Sequence, residues 1–190
     1  MKSLISFSLA VALVASAALV SAEEIKSGLQ AGQPIGAFDV LKCAGAADDG
    51  VKVGTQLCYR CKYGTRPMVM VFSRTSGTPV VALAKQLDEA VAQNSEKQFK
   101  AFVNLMGSDR EQMEAAAKKF GADNKLANVP VVVPVEFENG PDDYGINPKA
   151  EVTVLVAKGG KVVANHSFAK GEFTEKSVAA VLAEVPKLVN

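Results

Sequence analysis

Cys58-Tyr59-Arg60-Cys61 is the place in this 190-residue sequence where residue type and spacing could do chemistry. Two cysteines separated by two residues can close a disulfide, exchange it with an outside thiol, or share a metal. The reactive form is the thiolate, so the neighbours that lower a thiol pKa decide among these. A helix N-terminus commonly gives that help. Here Cys61 is followed by Lys62 to Pro67 and then by the apolar run Met68-Val69-Met70-Val71-Phe72. The spacing therefore predicts a pair in front of a strand, without a helix of its own. Arg60, Lys62 and Arg66 are cations near enough in sequence to depress a thiol pKa in its place.

Cys43 and His166 widen the choices, because they are the remaining cysteine and the only histidine. A disulfide within the pair, or from Cys43 to one member, would staple the N-terminal segment. Such a bond over a short loop contributes roughly 2 to 3 kcal/mol. In a redox reading Cys58 and Cys61 react and Cys43 is a resolving thiol. Three cysteines with His166 would make a chemically sensible zinc set, but the Cys43–Cys58 spacing is not diagnostic and no metal or other cofactor is expected. The odd count also permits a bond between chains. His166 lies in a segment that reads as an edge strand, where a surface or partly buried strand residue is expected rather than a catalytic base. Asn165-His166-Ser167 matches the short N-glycosylation pattern. Ser73 to Thr78 gathers hydroxyls and backbone N–H groups at a helix start, and ordinary helix capping is the expectation there.

The elements that must position these residues alternate. Ala37 to Lys42 reads as a short strand, followed by a Gly/Ala/Asp loop at Ala44 to Gly50. Pro67 to Arg74 is a near-continuous apolar run, as in a strand buried on both faces. Eight extended residues span about 25 Å, which puts the cysteines at the opposite end of the sheet from whatever follows the strand. Thr78-Pro79 signals a helix start with Thr78 as N-cap, and Val80, Leu83, Ala84, Leu87 and Val91 form its apolar stripe. Phe99 to Met106 is a second buried strand. A second helix follows from about Asp109, with Ser108 as cap, to Phe120, and Gly121 suits the position past its end. Val129 to Phe137 reads as a third strand, irregular or at an edge because of Pro130 and Pro134. Val152 to Ala157 and Lys161 to Phe168 form a hairpin across Lys158-Gly159-Gly160. A last helix starts at the cap Thr174. Helices between strands imply right-handed crossovers and a largely parallel sheet, with the final hairpin adding an antiparallel edge.

The first 22 residues have the pattern of a signal peptide: Lys2, an uncharged apolar stretch from Leu4 to Val20, and small residues at Val20-Ser21-Ala22 before Glu23. Removing 22 of the 190 residues leaves 168, enough for one domain at 23–190. It also leaves 20 basic and 20 acidic residues, so nucleic acid and anionic membrane surfaces are not expected partners. The absence of Trp and the three Tyr argue against a stacking platform for bases. A periplasmic or secreted location follows, with no membrane contact after cleavage. An unidentified protein is the expected partner.

The order of elements, with its closing hairpin and helix, resembles the thioredoxin fold over roughly Gly32 to Val189. Gly36-Ala37-Phe38-Asp39-Val40, Met68 to Phe72 and Tyr144-Gly145-Ile146 ahead of Val152 to Val156 are similar to the peroxiredoxin and redoxin branch. With Leu57-Cys58-Tyr59-Arg60-Cys61 ahead of the first central strand, the chain resembles exported thioredoxin-domain proteins of planctomycete bacteria. The resemblance implies a central mixed sheet flanked by helices, with an N-terminal β extension and Cys-containing loop at 23–66 and a thioredoxin-like core at 67–190. It also implies where a redox motif belongs, and that position reads Gly77-Thr78-Pro79-Val80, with neither cysteine. The proline that usually precedes the fourth central strand corresponds to Val152. The leading expectation is therefore a non-catalytic binding or structural envelope protein with a structural disulfide. The alternative is a thiol–disulfide oxidoreductase using a relocated Cys58/Cys61 pair, with Cys58 the nucleophile by analogy with the usual order.

Overall fold

The computed structural model describes residues 25–190, so the leader expected at 1–22 lies outside the described residues. Its centre is β3 (Met68–Ser73), whose six residues MVMVFS are all buried. Such a run needs partners on both sides and cover on both faces. β4 (Lys100–Leu105) lies parallel on one side, with Val71 opposite Val103. β6 (Ala150–Lys158) lies antiparallel on the other, with Val71 opposite Val154. Together with β1 (Val40–Ala44), β2 (Gln56–Leu57), β5 (Val131–Pro134) and β7 (Lys161–Ala169), they make one seven-stranded sheet in the order β2-β1-β5-β4-β3-β6-β7. Only β5-β4-β3 are parallel, and both flanks are antiparallel. The sheet is mixed.

Alternation sorts the side chains onto two different faces. Val69, Val71, Val103, Val131 and Val154 point toward the helices α2 (Thr78–Gln93), α3 (Arg110–Asn124) and α4 (Glu175–Leu182), with α5 (Val185–Val189) closing that layer. Met68, Met70, Phe72, Phe102 and Leu155 point the other way. There the cover is the N-terminal segment with Ile35 and Phe38, a five-residue helix α1 (Tyr59–Tyr63), and the 3-10 turn Asp142–Tyr144. A strap at residues 26–29 crosses β6 and β7. The Ser27 hydroxyl lies 2.6 Å from that of Thr153. The carbonyl of Ser27 accepts from Asn165 Nδ2 at 2.7 Å and from the Ser167 hydroxyl at 2.9 Å. Asn165 Nδ2, the atom a glycan would modify, also donates to the Leu29 carbonyl.

Several boundaries differ from the sequence reading, each for a local reason. The first strand starts at Val40, later than Ala37, because the chain before it turns over the sheet. Gly77, not Thr78, is the N-cap of α2, so Thr78 and Pro79 fill the first two helical positions. Asp109, not Ser108, caps α3: its carboxylate accepts the Gln112 N–H at 2.9 Å. That helix runs on to Asn124, and Gly121 lies inside it, where a Cβ would overlap the Cβ of Ala44. β5 is interior, between β1 and β4, and not at an edge. Its prolines do not interrupt the ladder, since Pro130 precedes the strand and offers its carbonyl to Val103 while Pro134 ends it. The hairpin at Lys158-Gly159-Gly160 is as read, with φ of +64° and +77° at the two glycines. Thr174 caps α4 through a reciprocal box with Ser177.

Candidate functional site

Cys58 and Cys61 form a disulfide, with Cα atoms 5.2 Å apart. The expectation that the pair lacks a helix is overturned. Cys58 is the N-cap of α1, in extended backbone, and its Sγ accepts the Cys61 N–H at 3.0 Å. One turn is all the helix there is, ended by Gly64 with φ +64°. Propensity alone would not hold so short a helix. Tyr59 and Tyr63 hold it instead, because four residues apart they lie on one helix face. Their rings stand 5.4 Å apart and both pack on Phe102, at 5.9 and 6.0 Å. With that face buried, Cys61 and Lys62 are left exposed and Cys58 half-buried.

Behind the helix is an ion pair that the sequence reading missed. Lys42, 1% exposed, gives its ammonium to Asp49 at 2.7 Å and to the carbonyls of Ala46 and Val51, both at 2.8 Å. The other oxygen of Asp49 accepts the Tyr59 hydroxyl. Burial pushes the Asp49 carboxyl up, but the bonds from Lys42 and Tyr59 outweigh it and hold the group below its ordinary value of 3.8. Burial, then Asp49, pushes the Tyr59 hydroxyl far above its ordinary range, and burial likewise raises Tyr63. Tyr59 therefore keeps its proton and donates it to Asp49. A lysine at an inward position in an alternating strand, ahead of an Asp-rich loop, is the signal that could have revealed this network.

Cys43 is free and 2% exposed, among the residues that face α3. Burial raises its thiol to about 11. The cysteine pair belongs to the opposite side of the sheet, so Cys43 neither bridges to it nor resolves it. The zinc set is not assembled either, since Cys58 and Cys61 are bonded to each other and His166 lies on β7.

Gly77 to Val80 do occupy the turn from β3 into α2. The hydroxyls there are used locally: Ser73 Oγ donates to the Thr75 carbonyl at 2.7 Å, and Thr75 Oγ1 accepts the Gly77 N–H at 3.2 Å. The disulfide precedes the start of β3 and Thr78 follows its end, about 17 Å of strand apart. Near the disulfide, Arg60 reaches to within 3.7 Å of where a Gly160 side chain would begin, in the β6–β7 turn. Val152 is buried inside β6, opposite Ser73.

His166 is half-buried opposite Val154, and its Nε2 has no partner among the described residues. Burial holds its pKa below 6.5, with Glu184 opposing. The unfolded chain therefore takes up a proton first, and stability falls as pH drops below 6.5. His166→Gln flattens that fall, measured as the urea midpoint at several pH values between neutral and mildly acid.

No protein-family model matches the sequence, and a search of curated proteins finds no match. Solved structures do match in fold. The candidate thiol:disulfide interchange protein DsbE of Chlorobium tepidum superposes with a TM-score of 0.60 at 14% identity, covering 85% of this chain and 99% of its own. A candidate protein disulfide isomerase from Bacteroides thetaiotaomicron gives 0.56 at 10% identity, covering 86% and 92%. A candidate thioredoxin reductase from Burkholderia cenocepacia gives 0.55 at 17% identity, covering 82% and 96%. The fold is thioredoxin-like, and it carries a C-x-x-C disulfide.

Proposed function

We propose that this chain is an exported thiol–disulfide oxidoreductase whose reactive pair, Cys58 and Cys61, has moved to the opposite end of the sheet from the family's usual position. The observation that carries this reading is a surface disulfide that joins no two separate segments of the fold. It closes a loop of one turn, and α1 is already anchored through Tyr59 and Tyr63. The stabilisation a disulfide gives grows with the loop it closes, so a separation of three residues stands at the low end, about 2 kcal/mol. Its chemistry is better served. Cys61 is exposed to an incoming thiolate, and Cys58, as the leaving sulfur, meets the Cys61 N–H at 3.0 Å. Arg60, Lys62 and Arg66 add positive charge. This assigns the attacked and attacking sulfur to Cys61, the reverse of the order carried over by analogy.

Export rests on the leader pattern at 1–22, with cleavage before Glu23 and a periplasmic or secreted domain at 23–190. No described helix is long and apolar enough to cross a membrane. The resemblance to exported planctomycete thioredoxin-domain proteins belongs to the same reading.

The other reading, a non-catalytic envelope protein with a structural disulfide, draws on the missing cysteines at Gly77 to Val80. A redox titration of the purified 23–190 protein, with insulin reduction as the activity, separates the two. A potential between about −120 and −270 mV, and turnover abolished by Cys61→Ser, supports the oxidoreductase. A potential below about −300 mV without turnover overturns it.

A further inference from the structure

We propose that the groove beside α1 selects the thiol that exchanges with Cys58–Cys61, and that this thiol carries carboxylates close to its sulfur. The inference rests on the redox reading above and adds the substrate class. The groove encloses about 460 Å³, within the roughly 300 to 1,000 Å³ typical of small-ligand sites. Lys62 and Tyr63 form one wall and come from the helix that bears both cysteines. Arg66, Gln98, Lys100 and Asp48 complete the part that matters here.

The charges of this wall are uneven. None of Lys62, Arg66 and Lys100 has a carboxylate within 4.0 Å among the described residues. Asp49, which also borders the groove, is already committed to Lys42, Tyr59 and the Val51 N–H, leaving Asp48 as the other acid. Tyr63 is 4% exposed and lines the groove, yet its hydroxyl meets no partner among the described residues. That hydroxyl is left as a free donor on a residue of the groove wall. Arg66 is held in place rather than free to swing. Its Nε donates to Gln98 Oε1 at 2.9 Å, and Nη1 donates to the Lys62 carbonyl at 3.0 Å. Gln98 sits at φ +55°, in the left-handed region, two residues before β4. Three cations and a phenol around one space form a receptor for carboxylate oxygens.

The exchange balances with the thiol as reductant. Its thiolate attacks Sγ of Cys61, the Cys58–Cys61 bond breaks, and Cys58 leaves as a thiolate that takes up a proton. A second thiol attacks the outer sulfur of the mixed disulfide, releasing Cys61 and a disulfide of the two thiols. Two electrons pass to the protein and two thiols are oxidised.

The test follows the rate of Cys58–Cys61 reduction by alkylation quenching and mass measurement. The reductants are cysteine decapeptides with Glu or Lys flanks and the tripeptide γ-glutamyl-cysteinyl-glycine, each normalised to its rate against an unrelated small disulfide. At low salt the Glu peptide should be about tenfold faster than the Lys peptide, converging toward equality at high salt. Lys100→Gln should shrink that ratio, and Lys170→Gln, outside the groove, should not. A fast tripeptide would mark a small thiol as the source, and a fast Glu peptide alone would mark a polypeptide. Equal rates for Glu and Lys peptides at low salt overturn the groove while leaving the exchange intact. No reduction by any thiol overturns the redox reading itself.

Discussion

Asp49→Ala destabilises the folded protein by about 3 kcal/mol, because it leaves the Lys42 ammonium charged and without its counterion at a site 1% exposed. The two carbonyls that Lys42 also meets cannot neutralise it. The same substitution frees the Tyr59 hydroxyl and the Val51 N–H, so the loss reaches both the 44–55 loop and the cysteine-bearing helix. Tyr59→Phe removes one bond and should cost only about 1 kcal/mol. A double variant, Lys42→Met with Asp49→Asn, leaves no charge unpaired and should recover much of the loss. Urea unfolding at neutral pH measures all three. The pH dependence has a definite sign. Asp49 is more acidic in the folded protein than in the unfolded chain, whose value is 3.8. Its contribution is present above that value and is lost as pH falls through the lower folded one. Acid unfolding of Asp49→Asn should accordingly be less steep than that of the wild type.

Gly45→Ala should be as damaging, for a different reason. Gly45 has φ +72°, and a Cβ on it would overlap the carbonyl oxygen of Val129, a backbone atom that cannot rotate away. Gly50 supplies the control, since its φ is +77° with nothing within 4 Å of a Cβ. Gly50→Ala carries the left-handed cost alone, about 1 to 2 kcal/mol. Gly45→Ala carries that and the overlap, so it should exceed Gly50→Ala by about 2 kcal/mol or more. Thermal melts of the two variants give the difference, and equal melting points would show that the junction between the end of β1 and the approach to β5 yields to the extra carbon.

What the sequence shows plainly is the part of the fold that periodicity governs. The MVMVFS run of β3, the Val80–Val91 stripe of α2, the glycine hairpin and the Thr174 cap all stand where their patterns place them. What it hides is packing. α1 is too short for a period to register, and its one clue is the spacing of Tyr59 and Tyr63. Gly121 resembles a helix terminator and is instead a contact point where α3 touches Ala44. Pro130 and Pro134 resemble edge markers, yet they bracket an interior strand from just outside its ladder. The site was legible by residue type in Cys58 and Cys61. The groove arises from chain segments far apart in sequence, and no local pattern foretells it, whereas the Lys42–Asp49 pair is local and shows only as an inward lysine ahead of an acidic loop.

The strap over β6 and β7 has a consequence for how the molecule meets its own kind. An open sheet ends in strands with unused backbone groups, which invite another chain to pair. β7, nine residues long, is the longer margin. Gly32 and Gln33 bond the backbone of Val162, Pro34 bridges to Lys161, and Ser27 and Leu29 take the side chains of Asn165 and Ser167. The opposite margin, β2, is only two residues long. Neither side offers a long free template, so the segment that buries the second face of the sheet also guards the protein against strand-by-strand aggregation.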